Sequence, residues 1–150
     1  MKSRRYLLDT NVLSETRKKR PEPQVVDFLA NAPFNSLFLS VLSLGELRKD
    51  VALKRKRDPA AAKAIGAWVD GLEGNFVDRI LHVDAAVSEL WGELSAQRPR
   101  SVVDTLLAAT AVAHELCPYR FSHSVTLLVV QPVAWEHVTM RQVSANLWAS

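Results

Sequence analysis

The sequence predicts an α/β fold in which a mostly parallel sheet is covered by helices on both faces. Two observations carry this expectation. Short apolar runs alternate with stretches of helical periodicity, and the segments that join them are long enough for crossover connections between parallel strands. The composition then sets the scale: 150 residues, 48% of them hydrophobic and 23% charged, with only 5 Gly and 7 Pro. That is one domain's worth of chain, residues 1–150, inside the globular range and outside the disordered and collagen-like ones.

The elements follow in order. Residues 5–8 form an apolar run that ends in Asp9-Thr10-Asn11, which reads as a buried strand stopping at a polar turn. Behind the punctuation of Pro21-Glu22-Pro23, residues 24–30 carry Val25, Val26, Phe28 and Leu29 and suit a short helix. Residues 36–41 (SLFLSV) read as a second strand. Leu44, Leu47 and Val51 then follow helical spacing over residues 43–55, with Glu46 off that apolar stripe. Ala61, Ile65, Trp68, Val69 and Leu72 make another amphipathic helix, which Gly71 and Gly74 are expected to help close. A third strand is expected within 76–83. Asp84 is placed to cap a helix with Val87, Leu90, Trp91 and Leu94 on one face, broken by Gln97-Arg98-Pro99-Arg100. The Ala- and Leu-rich run 101–115 has no breaker and reads as a buried helix with Asp104 in its first turn. Residues 125–130 (VTLLVV) are the last strand candidate. No internal repeat or low-complexity segment is visible.

Several function classes fall away. The single cysteine, Cys117, rules out an internal disulfide, and the four histidines lack the spacing of a Cys/His zinc site. No run approaches the roughly 20 apolar residues of a membrane span, and Asp9 arrives too early for the apolar segment of a signal peptide. A cytoplasmic protein without a membrane partner is therefore expected.

Ligands gather at the carboxyl edge of open parallel sheets, and both Asp9 and Glu46 lie just past predicted strand ends. Asp104 opens a later helix. Carboxylates brought within a few ångströms of one another repel, so such a cluster stays ionised only when a cation compensates it. Oxygen donors without thiolate or imidazole favour Mg²⁺ or Mn²⁺ over zinc. A metal so held polarises a phosphoryl oxygen and acidifies water, the chemistry needed to cut a phosphodiester without a covalent nucleophile. Taken singly, each acid also has an ordinary explanation: an Asx turn for Asp9, and first-turn acids favoured by the helix dipole for Glu46 and Asp104.

Together, LLDTNVLSE near the amino terminus, SVLSLGEL in the middle and VVDTLLAATAVAHEL later resemble the PIN-domain family, and within it the VapC-type and FitB-type toxins of bacterial toxin–antitoxin pairs. The resemblance covers roughly residues 5–116. It implies a three-layer α/β/α sandwich, Mg²⁺-dependent endoribonuclease activity, a homodimer, and a cognate antitoxin whose peptide covers or enters the acidic site. It also implies that Asp9, Glu46 and Asp104 are the catalytic, metal-coordinating acids, with Thr10 and Asn11 supporting the first of them.

Residues 117–150 depart from the family pattern. Members usually carry a fourth acid in a T-R-N-x-x-D-F segment, whereas CPYRFSHS stands here and no Asp follows Asp104. Only Arg120, Glu136 and Arg141 are charged between 117 and 150. Either the tail has diverged, or the reading frame has slipped near the codon for Cys117. Glu115 and Glu136 are poor substitutes for the fourth acid, one lying far along the helix from Asp104 and the other in the atypical tail. The missing acid motivates the alternative of a PIN-like module, catalytically impaired, that binds antitoxin or RNA without cutting. A phosphotransfer domain with Asp9 as nucleophile is a third reading, opposed by the lack of a second acid in Asp-Thr-Asn.

The 19 Lys and Arg against 16 Asp and Glu leave a net charge of +3. Lys18-Lys19-Arg20 and Lys54 to Arg57 read as solubilising surface charge, the second run also suiting a helix end. Arg98 and Arg100, which precede Asp104, are the expected RNA contacts. His82, His114, His123 and His137 show no triad or ligand spacing, and Trp68 and Trp91 fall on apolar stripes as core or interface residues.

Overall fold

Strand β1 (Tyr6–Leu8) ends at Asp9, where the chain turns directly into a short helix, α1 (Thr10–Glu15). The computed structural model describes residues 4–97 and 101–119, the last three as backbone alone. Helix α1 corrects the expectation of a polar turn at Asp9-Thr10-Asn11. Six residues are too few for a periodic pattern to show, and a helix this short is stable only through packing, which buried Val12 and Leu13 supply. Helix α2 (Pro23–Asn31) starts with proline in its first turn, where the missing N–H costs nothing. A 3-10 turn at Phe34–Ser36 leads into β2 (Leu37–Ser40). This strand is shorter at both ends than the expected 36–41, because Val41 already opens α3 (Val41–Arg55) and the Ser40 side chain caps it by accepting the Leu42 N–H at 3.1 Å.

Asp58 caps α4 (Pro59–Asn75), accepting the Ala61 N–H at 3.0 Å. Gly71 and Gly74 lie inside this helix rather than closing it, a correction: neither has the left-handed backbone of a closing glycine. A 3-10 turn at Val77–Arg79 occupies much of the expected third strand, and β3 is reduced to Ile80–Leu81. Asp84 accepts the Val87 N–H at 2.9 Å at the start of α5 (Ala85–Gln97), as its position predicts. Ser101 caps α6 (Val102–Ala113), which leads into β4 (Cys117–Tyr119). No strand was expected at β4, and the strand candidate at 125–130 lies outside the described residues.

The sheet runs β3-β2-β1-β4 with every pair parallel, as expected. Side chains alternate across it with the period of two that a strand imposes. Leu8, Leu37 and Leu39 join one core cluster with Val12 and Leu13 of α1, Leu44, Leu47 and Val51 of α3, and Ala62 and Val69 of α4. Leu7, Phe38 and Leu81 face the other way, into a cluster with Val103, Leu107 and Ala111 of α6. Helices therefore cover both faces, and the architecture is a three-layer α/β/α sandwich.

Arg79 clasps the amino edge of this sheet. Its guanidinium carbon lies 4.0 Å from the Phe34 ring centre and 4.7 Å from that of Phe76, and it donates to the carbonyls of Phe34, Leu37 (3.0 Å) and Asn75 (3.0 Å). One planar fork thus joins the turn before β2, the end of α4 and the entry to β3. Between α3 and α4, Arg48 donates to Asp70 at 2.6 Å and Glu73 at 2.8 Å, and these hydrogen bonds raise its pKa further above the usual arginine value.

Helix α6 ends in a Schellman turn: the Leu116 N–H reaches the Ala111 carbonyl at 2.8 Å, and Glu115 between them has φ of 54°. That left-handed backbone disfavours any residue with a Cβ. Glu115→Gly is therefore expected to stabilise the protein by about 0.5–1 kcal/mol, net of the extra freedom that glycine gives the unfolded chain, as measured by denaturant unfolding.

Candidate active site

Two strand ends and one helix start bring the three acids singled out in the sequence to the carboxyl edge of the sheet. Asp9 follows β1 and is the N-cap residue of α1, where its carbonyl accepts the Leu13 N–H at 3.1 Å. Its carboxylate does not take the capping role, and the residue as a whole is only 8% exposed. Glu46, half-buried, sits in the second turn of α3, just beyond the end of β2. Asp104 is the third residue of α6, also half-buried, and its N–H points at the Ser101 hydroxyl at 3.5 Å.

The placement of Asp104 at this edge follows from topology. Helix α6 leads into β4, which pairs parallel to β1 with Cys117 beside Tyr6, so the helix runs back from the carboxyl edge to the amino edge. Its neighbour Val103 belongs to the same apolar cluster as Leu42, at the start of α3, and Leu81, at the end of β3.

A hydrogen bond joins the first two acidic segments: the Thr10 hydroxyl donates to Glu46 Oε2 at 2.7 Å. The resemblance implies that Thr10 supports Asp9; the structure engages its hydroxyl with the second acid, Glu46. Thr10 is already bonded to Asp9 through the backbone, and its side chain, starting α1, points across to α3. Asn11 is exposed. One turn before Glu46, Ser43 is fully buried and its hydroxyl has no hydrogen-bond partner among the described residues. The sequence reading passed over this residue, although a serine three positions before the acid and beside an apolar stripe was the available signal.

The carboxylates of Asp9, Glu46 and Asp104, with the hydroxyls of Thr10 and Ser101 beside them, offer oxygen donors. In kind they match a hard divalent cation such as Mg²⁺ or Mn²⁺. Among the described residues, however, no three His, Cys, Asp or Glu side chains are gathered into one metal-holding group. The acids share an edge and would have to close on an ion to bind it.

Other candidates lie elsewhere. Glu115 is at the opposite end of α6, 11 residues beyond Asp104 and so about 16 Å along the helix axis, which removes it as a fourth acid. Lys54 and Arg55 end α3, eight and nine residues beyond Glu46 and so about 12 to 14 Å along the helix from it. Arg98, Arg100, Glu136, His123 and His137 lie outside the described residues. His82 is exposed, and the carbonyl of His114 accepts from Arg5 at 2.9 Å at the far edge. Trp68 and Trp91 pack against core clusters, as expected. No helix among the described residues is long and apolar enough to cross a membrane.

Comparison with known proteins agrees with this architecture. Residues 6–116 match the PIN domain family, a match that stops one residue before Cys117, where the tail departs from the family pattern. Over 117 residues the chain is 32% identical to the VapC ribonuclease Y4jK of Sinorhizobium fredii, covering 72% of this chain and 80% of that protein. Over another 117 it is 30% identical to the toxin FitB of Neisseria gonorrhoeae, covering 73% and 82%. Among solved structures, FitAcB from Neisseria gonorrhoeae superposes with a TM-score of 0.70 at 27% identity, covering 77% of this chain and 86% of that one.

The link between Thr10 and Glu46 is testable by itself. Thr10→Val keeps the shape and removes the donor, and is expected to cost about 1–2 kcal/mol because the partner is a half-buried carboxylate. Thr10→Ser, which keeps the hydroxyl, is expected to recover more than half of the loss in the same denaturant titration.

Proposed function

The chain belongs to the PIN domain family, and from that membership we propose that it is the toxin of a toxin–antitoxin pair, an endoribonuclease that hydrolyses RNA phosphodiester bonds with Mg²⁺ or Mn²⁺. The observation that carries this reading is the delivery of Asp9, Glu46 and Asp104 to one edge of a parallel sheet, with Glu46 oriented by Thr10 at 2.7 Å. The similarity to proteins named as a VapC ribonuclease and as the toxin FitB supports both the activity and the class of system.

In this reading Asp9, Glu46 and Asp104 hold the cation. A divalent ion bound there supplies positive charge to the phosphoryl oxygens and lowers the pKa of the attacking water. The chain's own residues do the rest. Thr10 holds Glu46 in place, and the first turn of α1 fixes Asp9 at the end of β1. Burial of Asp9 strengthens its attraction to any cation by lowering the local dielectric. Water is the nucleophile, so no side chain forms a covalent bond with the RNA. The partners are a cognate antitoxin and a second copy of this chain, and the setting is the cytoplasm.

Two observations favour a second reading, a PIN-like module that binds antitoxin or RNA without cleaving it: no Asp follows Asp104, and no three-acid group stands assembled among the described residues. Cleavage decides between them. Antitoxin-free protein is incubated with a mixed tRNA and mRNA pool, with Mg²⁺ or with excess chelator, beside Asp104→Asn as a control for contaminating nuclease. The ribonuclease reading predicts cutting that falls to background both with chelator and in the variant. Intact RNA in the presence of folded protein and Mg²⁺ would favour the binding module.

A further inference from the structure

Five hydroxyl side chains are buried among the described residues: Ser36, Ser40, Ser43, Thr105 and Thr110. Four of them are engaged. Ser36 donates to the Pro33 carbonyl at 2.6 Å, Ser40 accepts the Leu42 N–H at 3.1 Å, and Thr105 and Thr110 donate to the carbonyls of Ser101 and Leu106 at 3.0 and 2.8 Å. Ser43 is the exception. It is fully buried, yet its Oγ has no hydrogen-bond partner among the described residues. A hydroxyl removed from water and left unpaired carries its full desolvation penalty, so such a group calls for a reason.

Helix geometry explains why Ser43 does not pair within its own helix. Thr105 and Thr110 reach back to the carbonyl four residues earlier, which for both belongs to α6 or to its N-cap. Ser40 is the N-cap of α3, so the residue four before Ser43 is Leu39, which still lies in β2. No carbonyl of the helix stands at that spacing. Glu46 does stand on the same side of α3. Residues three apart on a helix are neighbours, about 5–6 Å between Cβ atoms, and a long side chain leans back toward the amino end, over the position three or four before it. One carboxylate oxygen of Glu46, Oε2, accepts from Thr10 at 2.7 Å, and the other, Oε1, has no hydrogen bond among the described residues. An unused donor and an unused acceptor thus lie one turn apart at the acidic edge.

We propose that Ser43 is a positioning residue for Glu46: when Asp9, Glu46 and Asp104 close on a divalent cation, the Ser43 hydroxyl donates to Glu46 Oε1, so that Thr10 and Ser43 hold one carboxylate from two sides. The proposal rests on the cation-site reading and adds to it a residue that touches no ion. The desolvation penalty carried by the cation-free protein is offset on closure, which favours the closed arrangement. An ionised carboxylate has lone pairs enough for both hydroxyls and a cation.

The test reads the cation-free and cation-bound states separately. The full chain and its Ser43→Ala variant are titrated with Mn²⁺ by calorimetry, and their thermal unfolding is followed in excess chelator. Ser36→Ala, which removes a paired hydroxyl just before β2 at the amino edge, is the control. Ser43→Ala is expected to bind Mn²⁺ about tenfold more weakly, the loss of one hydrogen bond to a charged group. In chelator it is expected to unfold at the parent's temperature or above, because no hydrogen bond is lost there and alanine is the better helix former. Ser36→Ala is expected to unfold at a lower temperature and to keep its Mn²⁺ affinity. Unchanged Mn²⁺ affinity in Ser43→Ala overturns the proposal and leaves the cation site standing. So does a lower unfolding temperature of Ser43→Ala in chelator, which would mean that the hydroxyl is already paired without the cation. A parent protein with no saturable Mn²⁺ binding overturns the cation site and this proposal with it.

Discussion

The pairing register between β1 and β2 is the constraint on which the acidic edge depends. Tyr6 stands opposite Leu37 and Leu7 opposite Phe38 in a parallel ladder. Both strands therefore run out at nearly the same level, one into Asp9 and α1, the other into Ser40 and α3. A slip of β2 by one residue would reverse the faces of Leu37 and Leu39 relative to Leu8, taking them out of the cluster they share with it. Packing on both faces thus locks the register, and the register sets the first turn of α1 beside the second turn of α3. The Thr10 hydroxyl bridges that gap to Glu46. Apolar burial on either side of the sheet is in this sense what positions the polar edge.

Electrostatics at the edge then follow from how the helices start. Asp9 at the N-cap of α1 and Asp104 in the first turn of α6 lie where unsatisfied N–H groups favour negative charge, so helix ends offset part of the repulsion between acids. The remaining repulsion calls for a cation, and the donor set suits one that is hard and divalent. Arg79 is spent on the amino edge, Arg48 on the joint between α3 and α4, and the run after α1 lies at the far end of that helix.

Much of this was legible in residues. Strands at β1 and β2, the cap at Asp84, the long α3 and the buried α6 all announce themselves through periodicity or capping chemistry, and the parallel sheet follows from their alternation. Asp9, Glu46 and Asp104 were recognisable as edge residues for the same reason. What stayed hidden depended on tertiary contact. Helix α1 is too short to show a period, and β3 keeps only two residues because Arg79 pulls the preceding segment into a 3-10 turn. The partner of Thr10 is 36 residues away in sequence, and no local pattern encodes such a pairing. Arg79 between two phenylalanines and Arg17 on Trp68 are likewise invisible until the helices are packed.

Under the proposed function, Asp9, Glu46 and Asp104 would act together as one cation site. The most direct measurement is Mn²⁺ binding to the full chain, followed by loss of the free-ion paramagnetic resonance signal, for the natural sequence and for Asp9→Asn, Glu46→Gln and Asp104→Asn separately. The account predicts a saturable site that Mg²⁺ competes for and that each single substitution abolishes or severely weakens. Absence of saturable binding by the natural sequence, or binding that survives all three substitutions unchanged, would contradict it.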